Sequence, residues 1–537
     1  MKAKFNLLLL SLLSGLLLSI SWYWNLSICI FFAFVPLLFV EEKISTSTDL
    51  SKPRLKLLGY SYIAFFTWNI LVTWWVVYAS FGGASMAFLA NSLLMAEVFV
   101  IYSSIKKRIN KPWAVWLLIP LWIAWEHGHT LWDLSWTWLT IGNVFAFNTN
   151  WIQWYEYTGT SGGTLWVLAT NIFIFQILKN NVSLKILSKP VFKIAACIFL
   201  PILLSFVILI AYTLKEAALT NTKKKRFDVV VVQPNIDPYN TKFSMDYQSQ
   251  FFKVMGLLKG KITEETDYLV LPETFITDNV NESHLLQSES IQWFYDSLIN
   301  KFPNLKIVTG ANTYVFYEDG EKAQATARLD EQSGKKYDVY NTALSITKNG
   351  VKVYHKSKLV PGVERMPFPA LLKPLEGLAI NMGGTMGSLG TQDERTVFND
   401  SSSNTCIAPV VCYESIYADY VADYVRNGAS FIFIITNDGW WDDTPGYIQH
   451  LNYAKLRAIE NRRQIARSAN TGVSCFIDEY GTISEATPWW KEAVIEKDML
   501  PLYKFTFFSR FGDLISYFSV AISILLILWA LFLRFKK

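Results

Sequence analysis

The first 214 residues consist largely of long apolar runs separated by short polar segments. A helix needs roughly 20 mostly uncharged residues to cross an apolar membrane core of ~30 Å. Runs that meet this requirement, some of them short, predict about eight spans, of which about seven lie in residues 1–220 and one in residues 506–537. The predicted spans are Phe5–Ile20, Leu26–Val40, Leu57–Ser80, Met86–Ile105, Trp113–Trp125, Thr164–Leu178, Phe192–Leu214 and Leu514–Phe532. A multi-pass α-helical membrane domain is therefore expected.

Residues 221–505, which lie between these membrane segments, follow a different pattern. Short β-branched runs bounded by turn residues alternate with amphipathic stretches, which is typical of an α/β domain. The apolar spacing within Ile448–Ala466 predicts a helix with one buried side. The predicted strands are Phe227–Val232, Tyr268–Leu271, Lys306–Thr309, Thr342–Thr347, Ile407–Val411, Ser430–Thr436 and Val473–Ile477.

Lysine and arginine are concentrated after every second predicted span. Cytoplasmic loops retain positive residues, so this alternation predicts that both termini are cytoplasmic and that residues 221–505 face the other side, which is the periplasm in a bacterium. The residues concerned are Lys2, Lys4, Lys43, Lys52, Arg54, Lys56, Lys106, Lys107, Arg108, Lys111, Lys179, Lys185, Lys189, Arg534, Lys536 and Lys537. A cleaved signal peptide at the first span is the alternative, but its removal would leave the charge alternation without a starting orientation.

Composition and cysteine spacing narrow the function classes. The net charge of +5 is small for 537 residues and forms no basic stripe, which argues against a nucleic-acid partner. The five cysteines show neither a CxxC pair nor regular spacing, so neither a disulfide framework nor a zinc site is indicated. The EHGH run at Glu126–His129 lacks the helical HExxH spacing, and no metal is expected there.

A tryptophan-rich segment, Glu126–Gly163, lies on the predicted side of the large domain. Tryptophan favours the headgroup level of a membrane, so this segment is interpreted first as an interfacial anchor. It is also a candidate lipid-facing entrance to the domain, and the two interpretations are compatible. The tryptophans concerned are Trp132, Trp136, Trp138, Trp151 and Trp154.

Polar groups directly follow several predicted strands. Functional groups in α/β sheets gather past the carboxyl ends of strands, so these residues are expected to converge on one site. Glu273 follows LVLP, Cys412 and Glu414 follow IAPVV, and Asn437, Asp438 and Trp440 follow FIFIIT; Lys356 follows a short strand, and Glu364 lies in the next loop.

Together these groups have the chemistry of a cysteine nucleophile. A thiol of ordinary pKa ~8.5 needs a base and a nearby positive charge, for which Glu273 and Lys356 are the candidates. An oxyanion formed on an attacked carbonyl needs donors, which the Lys356 ammonium and the backbone N–H of Tyr413 can supply. Each residue alone has a simpler interpretation: Cys412 as a buried strand-end cysteine, Glu273 as a helix N-terminal acid, and Lys356 as a surface charge.

The segments LPETF, YHKSKLVPGVE and CYES, in this order, resemble the Glu, Lys and Cys segments of the nitrilase superfamily. Because they are flanked by membrane spans, the whole chain resembles the apolipoprotein N-acyltransferase family. The resemblance implies an αββα sandwich with Cys412 as nucleophile, Glu273 as general base and acid, and Lys356 as oxyanion stabiliser. It further implies supporting roles for Glu364 and Glu414 and pocket positions for Asn341, Tyr413 and Trp440. The family loop often reads VPFGE where this chain has VPGVE, which leaves the shape of the Glu364 loop open.

The resemblance also implies a reaction and its partners. Cys412 takes a fatty acyl chain from the sn-1 ester of a membrane phospholipid, and the α-amine of a diacylglyceryl-cysteine at the N-terminus of a lipoprotein then attacks the thioester. No metal or soluble cofactor is expected, and the protein is expected to be a monomer. The alternatives are a membrane-tethered nitrilase-like amidase or hydrolase, with water as acceptor, and a transporter with a sensory domain. Few charged residues lie inside the predicted spans, which does not favour a transporter.

Overall fold

The chain forms two compact units, one from residues 1–77, 81–219 and 511–537 and the other from residues 78–80 and 220–510. The computed structural model describes residues 2–23, 26–48, 50–79, 81–180, 189–218, 225–368 and 388–535. Some predictions concern residues outside this part of the chain: Ser80, Lys185, Lys536, Lys537 and residues 221–224, together with the side chains of Lys2, Lys4 and Arg534.

The first unit is helical. Its α-helices are Lys2–Ile20, Ile30–Ala33, Val35–Thr46, Pro53–Thr73, Phe81–Ile109, Leu118–Gly128, Tyr155–Lys179, Lys189–Ala218 and Leu514–Phe535, and the short helix Val76–Ala79 begins in it. Short 3-10 helices cover Ser27–Cys29, Pro112–Leu117, Thr137–Leu139, Ile141–Phe147 and Thr149–Trp151. The C-terminal helix Leu514–Phe535 packs against Leu118–Gly128, so it belongs to the same helical unit as the N-terminal part of the chain.

Five of the described helices are long and apolar enough to cross a membrane, and Asn6–Ile20 is a shorter apolar helix. The five are Pro53–Thr73, Phe81–Ile109, Tyr155–Lys179, Lys189–Lys215 and Leu514–Leu533. The expected multi-pass character is thus supported, but the count of about eight spans is not confirmed. Two predicted spans are interrupted: Leu26–Val40 breaks into three short helical pieces, and Trp113–Trp125 divides between a 3-10 helix and Leu118–Gly128.

Glu126 of the EHGH run connects segments of the first unit through hydrogen bonds. Glu126 is buried and accepts hydrogen bonds from Trp122 Nε1 at 3.1 Å, from the Ile141 N–H at 2.8 Å and from Thr164 Oγ1 at 2.8 Å. These bonds join three segments of the unit and satisfy a carboxylate that would otherwise be costly to bury.

The second unit contains all the described strands. They are β1 Phe227–Gln233, β2 Thr266–Val270, β3 Ile276–Asn281, β4 Lys306–Phe316, β5 Arg328–Leu329, β6 Lys336–Thr347, β7 Gly350–His355, β8 Phe398–Asp400, β9 Thr405–Val411, β10 Phe431–Thr436, β11 Ile465–Ala469, β12 Cys475–Ile477, β13 Ile483–Ser484 and β14 Ala493–Met499. Its α-helices are Tyr247–Leu258, Glu289–Phe294, Ala418–Arg426, Pro445–Asn461 and Phe507–Phe511.

These strands form two mixed sheets. The first has the order β14-β1-β2-β4-β6-β5, with β3 paired to β4 and β7 paired to β6; the second has the order β13-β12-β11-β10-β9-β8. Parallel pairs lie at the centre of each sheet, β1-β2-β4 in the first and β9-β10-β11 in the second. Glu273 was predicted at the carboxyl end of β2 and Cys412 at that of β9. Both β2 and β9 therefore take part in the parallel pairing at the centre of their sheets.

The two sheets pack face to face. Tyr268 of β2 hydrogen-bonds Thr405 of β9, and its ring lies 5.4 Å from that of Phe433 on β10. On its other face the first sheet buries Val230, Leu269 and Ile307 against Phe251 and Phe294 of two helices. Helix Ala418–Arg426 packs against β9 and against Pro445–Asn461. The expected αββα sandwich is confirmed.

The structure corrects one predicted helix boundary. The helix expected over Ile448–Ala466 runs from Pro445 to Asn461, and Ile465–Ala469 forms β11. Arg462 takes a left-handed conformation (φ 47°), which ends the helix. Ile465 is buried as expected, but in a strand that pairs with β10.

Candidate active site

Glu273 lies in the turn that follows β2. The next residue, Thr274, has φ of 49°, so the backbone takes a left-handed conformation between β2 and β3, which both run parallel to β4. Gly310 of β4 permits the turn, because a Cβ there would lie 2.3 Å from the Thr274 nitrogen and 2.6 Å from the Glu273 Cα. A glycine on the neighbouring strand thus allows the backbone of Glu273 to pack directly against the sheet.

Lys356 and Asn341 are brought together by strand pairing. Lys356 follows β7, and its N–H donates to the carbonyl of Asn341 on β6 at 2.8 Å. The Lys356 ammonium donates to Oε1 of Glu273 at 2.8 Å and to Oε1 of Glu364 at 2.7 Å. The Asn341 amide donates to the same two oxygens, at 2.8 and 3.1 Å. Four residues that the sequence analysis named as site residues therefore form one hydrogen-bonded cluster.

The loop that carries Glu364 keeps its contact with Lys356 despite the VPGVE sequence. Oε2 of Glu364 accepts a hydrogen bond from the Val360 N–H at 2.8 Å, which closes the loop on itself. Gly362 has φ of 74°, a conformation that favours glycine. The loop shape that the sequence left open is therefore one that holds Glu364 against the ammonium.

Cys412 lies at a sharp turn between β9 and the 3-10 helix Cys412–Ile416, and its φ is 49°. Left-handed conformations of non-glycine residues cost about 1–3 kcal/mol and persist only where the surroundings enforce them. Glu414 is part of that enforcement: it accepts from the Val411 N–H at 2.9 Å and from the Ser357 N–H at 2.8 Å. Glu414 thus ties the cysteine turn to the segment after Lys356.

A fully buried group of polar side chains, His450, Asp438 and Arg467, also contacts the Cys412 turn. His450 Nε2 lies 3.1 Å from the carbonyl oxygen of Cys412 and 2.9 Å from Ser415 Oγ, and His450 Nδ1 lies 2.9 Å from Asp438 Oδ1. Arg467 donates to the other oxygen of Asp438. Although burial opposes it, Arg467 and His450 hold the pKa of Asp438 below its usual range.

The electrostatics of the cluster favour a charged Glu273 and Lys356 beside a neutral thiol. Burial opposes both charges, but Lys356 and Asn341 keep the pKa of Glu273 below its ordinary value. Glu273 and Glu364 likewise overcome burial and raise the pKa of Lys356. Burial and the Glu273 carboxylate raise the pKa of Cys412, while Lys356 lowers it. The site therefore holds a buried carboxylate, a buried ammonium and, within electrostatic range of both, a thiol whose pKa is raised.

Two predicted pocket residues have other contacts. Tyr413 is buried, and its ring lies 5.4 Å from that of Tyr417. Trp440 accepts a hydrogen bond at its carbonyl from Tyr239, and its ring stacks 6.2 Å from that of Phe243. Trp440 thus packs on the loop that follows β1.

Sequence reasoning did not find Lys242 or His450 as site residues. Lys242 lies in the loop after β1, is 2% exposed, and donates to the carbonyl of Glu273 at 2.9 Å. His450 lies in a helix that the sequence marked only by its apolar side. Asp438, which was noted at the end of a strand, was the available signal for a polar partner near His450.

Paired sheets with Glu, Lys and Cys at strand ends define a carbon-nitrogen hydrolase domain, and the family described as carbon-nitrogen hydrolase matches residues 228–500. Residues 14–173 match the family described as apolipoprotein N-acyltransferase N-terminal domain. An apolipoprotein N-acyltransferase of Chlorobaculum tepidum is 30% identical over 96% of this chain and 94% of its own. The corresponding proteins of Thermotoga maritima and Geobacter metallireducens are 25% and 26% identical, each over 96% of this chain and over 92% and 93% of their own lengths.

The chain therefore belongs to the apolipoprotein N-acyltransferase family. The family resemblance inferred from the motifs is confirmed, and so is the expectation of an acyltransferase enzyme. With its long apolar helices, the chain is a bacterial membrane protein.

Proposed function

We propose that this protein transfers a fatty acyl chain from a membrane phospholipid, through a thioester on Cys412, to the α-amine of the N-terminal diacylglyceryl-cysteine of lipoproteins. The names of the full-length relatives support the overall reaction. The observation that carries the residue assignment is the buried cluster in which Lys356 contacts Glu273 and Glu364, with Cys412 in electrostatic contact.

In the first half-reaction Glu273 removes the thiol proton of Cys412 while Sγ attacks the ester carbonyl of the phospholipid. The carbonyl π electrons move to oxygen and return as the bond to the glycerol oxygen breaks. Glu273 then gives its proton to that leaving oxygen, which yields a lysophospholipid and the thioester. The lowered pKa of Glu273 supports this order, because the carboxylate is present before attack.

Lys356 is proposed to stabilise the oxyanion. Its ammonium is fixed by two carboxylates and is almost completely buried, so it needs little reorganisation as negative charge develops. The backbone N–H of Tyr413, directly after the nucleophile, is the proposed second donor. Asn341 and Glu364 hold the Lys356 and Glu273 side chains in position through hydrogen bonds. Glu414 fixes the turn that carries Cys412.

In the second half-reaction the lipoprotein amine attacks the thioester carbonyl and the C–S bond breaks. Glu273 takes the proton from the amine, and the Cys412 thiolate then receives it, so the starting state is restored. These steps use no metal or soluble cofactor. Trp440, on the aromatic cluster with Phe243, is proposed as part of the substrate pocket.

The proposed arrangement comprises a membrane domain at residues 1–220, a catalytic domain at 221–505 and a C-terminal span and tail at 506–537. The catalytic domain faces the periplasm and both termini are cytoplasmic, which the distribution of Lys and Arg between the apolar helices supports. Both substrates are lipid-anchored, so a monomer in the cytoplasmic membrane is sufficient for the reaction.

Incubation of the purified protein with phospholipid and a diacylated N-terminal cysteine peptide tests this function. Mass spectrometry is expected to show N-acylated peptide and lysophospholipid in equal amounts, and an acyl adduct on Cys412 when the peptide is omitted. Cys412→Ala is the control and should form neither. Release of free fatty acid without N-acylated peptide would instead support a hydrolase.

A further inference from the structure

Lys242 is held in place by its own loop. Its N–H donates to the carbonyl of Asp237 at 2.8 Å, and its carbonyl accepts from Gln250 Nε2 at 2.7 Å. Tyr239 and Asn240, just before it, are exposed, whereas Lys242 is 2% exposed. The backbone of the loop therefore directs this one lysine inward, away from the water that a lysine side chain normally reaches.

The buried ammonium of Lys242 lies at the reacting groups. It donates to the carbonyl of Glu273 at 2.9 Å and interacts favourably with both the Glu273 carboxylate and Cys412. Burial lowers the pKa of Lys242 to about 8, an effect that Glu273 and Cys412 oppose. The nearby carboxylate offsets part of the cost of burying this ammonium, so Lys242 adds a positive charge to the cluster that contains Glu273.

The net charge of the cluster indicates a role for Lys242. The carboxylates of Glu273 and Glu364 outnumber the ammonium of Lys356 by one, so the cluster without Lys242 is negative. Formation of a thiolate or an oxyanion in a negative, buried site is unfavourable. A second cation makes the cluster neutral before the thiol proton moves to Glu273, and neutral afterwards.

We propose that Lys242 is a positioning residue of the acyl-transfer site, which fixes the backbone of Glu273 through its carbonyl and supplies the second positive charge that favours the Cys412 thiolate. This role rests on the function proposed above. It gives the loop after β1 a function in the site. Phe243, the next residue of that loop, packs on Trp440.

The test compares Lys242→Met and Lys242→Arg in the full-length protein. The first removes the charge and the hydrogen bond, and the second keeps the charge. The rate of Cys412 alkylation by iodoacetamide is measured at pH 7, where Lys242 is charged, with Cys412→Ala as the background. Lys242→Met is expected to lower that rate and to slow formation of the acyl-enzyme, each by about tenfold or more. Lys242→Arg is expected to keep the wild-type alkylation rate.

Lys455→Met is the matched control, because Lys455 is another buried lysine of the same unit and donates to Asn452 at 3.0 Å. It should leave the alkylation rate at pH 7 unchanged. A wild-type alkylation rate in Lys242→Met, in a variant that unfolds at the wild-type temperature, would overturn the inference. If Lys242→Met unfolds early, a wild-type alkylation rate in Lys242→Gln would do so instead. Failure of the wild type to acylate a peptide, with alkylation still slowed in Lys242→Met, would overturn the proposed function and not this role.

Discussion

The ammonium nitrogen of Lys356 lies 2.8 Å from Oε1 of Glu273, and the two side chains are 1% and 7% exposed. Charges so deeply buried are tolerated only when each is paired and hydrogen-bonded. Here the pair is completed by Glu364 and Asn341, so the contact that stabilises the fold is also the one proposed to activate the nucleophile.

Replacement of Lys356 by Met should abolish acyl-enzyme formation and destabilise the protein by about 3–5 kcal/mol, because the buried Glu273 carboxylate and the half-buried Glu364 carboxylate lose their cation. Intact-protein mass spectrometry after incubation with phospholipid and a thermal unfolding scan measure the two effects. Lys352→Met, on the strand that precedes Lys356, is the control, since Lys352 is exposed. Normal acylation by Lys356→Met would remove this residue from the mechanism.

Glu364→Gln should fold and should form the acyl-enzyme about 10–100 times more slowly. A neutral amide cannot accept from both Lys356 and the Val360 N–H as the carboxylate does, which weakens hydrogen bonds to a charged group. Single-turnover acylation measures the rate. Glu394→Gln makes the same charge change at an exposed site and should acylate at the wild-type rate.

Gly310→Ala should misplace Glu273 and cost about 1–3 kcal/mol of stability. The added methyl group would meet the backbone at Glu273 and Thr274, which cannot move aside as a flexible side chain can. Gly256→Ala is the control, because nothing lies within 4 Å of the position that its methyl group would take in helix Tyr247–Leu258. Equal unfolding temperatures and acylation rates in the two variants would contradict the expected clash.

His450→Leu should lower stability by about 1–3 kcal/mol and slow acylation, because the Cys412 carbonyl and Asp438 each lose a buried partner. Thermal unfolding and the acylation rate are measured together. His284→Leu, at an exposed position, serves for comparison. Should His450→Leu acylate at the wild-type rate, the support of the Cys412 turn would have to come from Glu414 alone.

Alkylation of Cys412 and its acylation by phospholipid should depend differently on pH. Burial raises the pKa of the thiol, so alkylation should continue to increase above pH ~8.5, where an ordinary cysteine is half ionised. The pKa of Glu273 is lowered, so the proposed base is ionised throughout, and acylation should change little between about pH 6 and 7, below the pKa of about 8 of Lys242. An alkylation rate that levels off below pH ~8 would indicate a preformed thiolate instead.

Much of the site could be predicted because its chemistry is carried by short motifs. Glu273, Lys356 and Cys412 each directly follow a strand, β2 and β7 of the first sheet and β9 of the second, and the packing of the two sheets brings these strand ends together. Strand positions were also largely correct. Helix ends were less accurate, and the count of about eight spans is not confirmed, because an apolar run has the same composition whether it forms one long helix or several short ones, as at Leu26–Val40.

By itself the sequence determined the family, the αββα domain and the three residues proposed for catalysis, because residue type and local spacing encode them. Only the tertiary structure decided that Lys242 reaches Glu273, 31 residues away, and that His450 reaches Cys412, 38 residues away. A buried lysine in a loop and a histidine in a helix have no periodic or motif signal. Their partners depend on how loops and helices pack around the two sheets. Burial strengthens these contacts between residues that are distant in sequence.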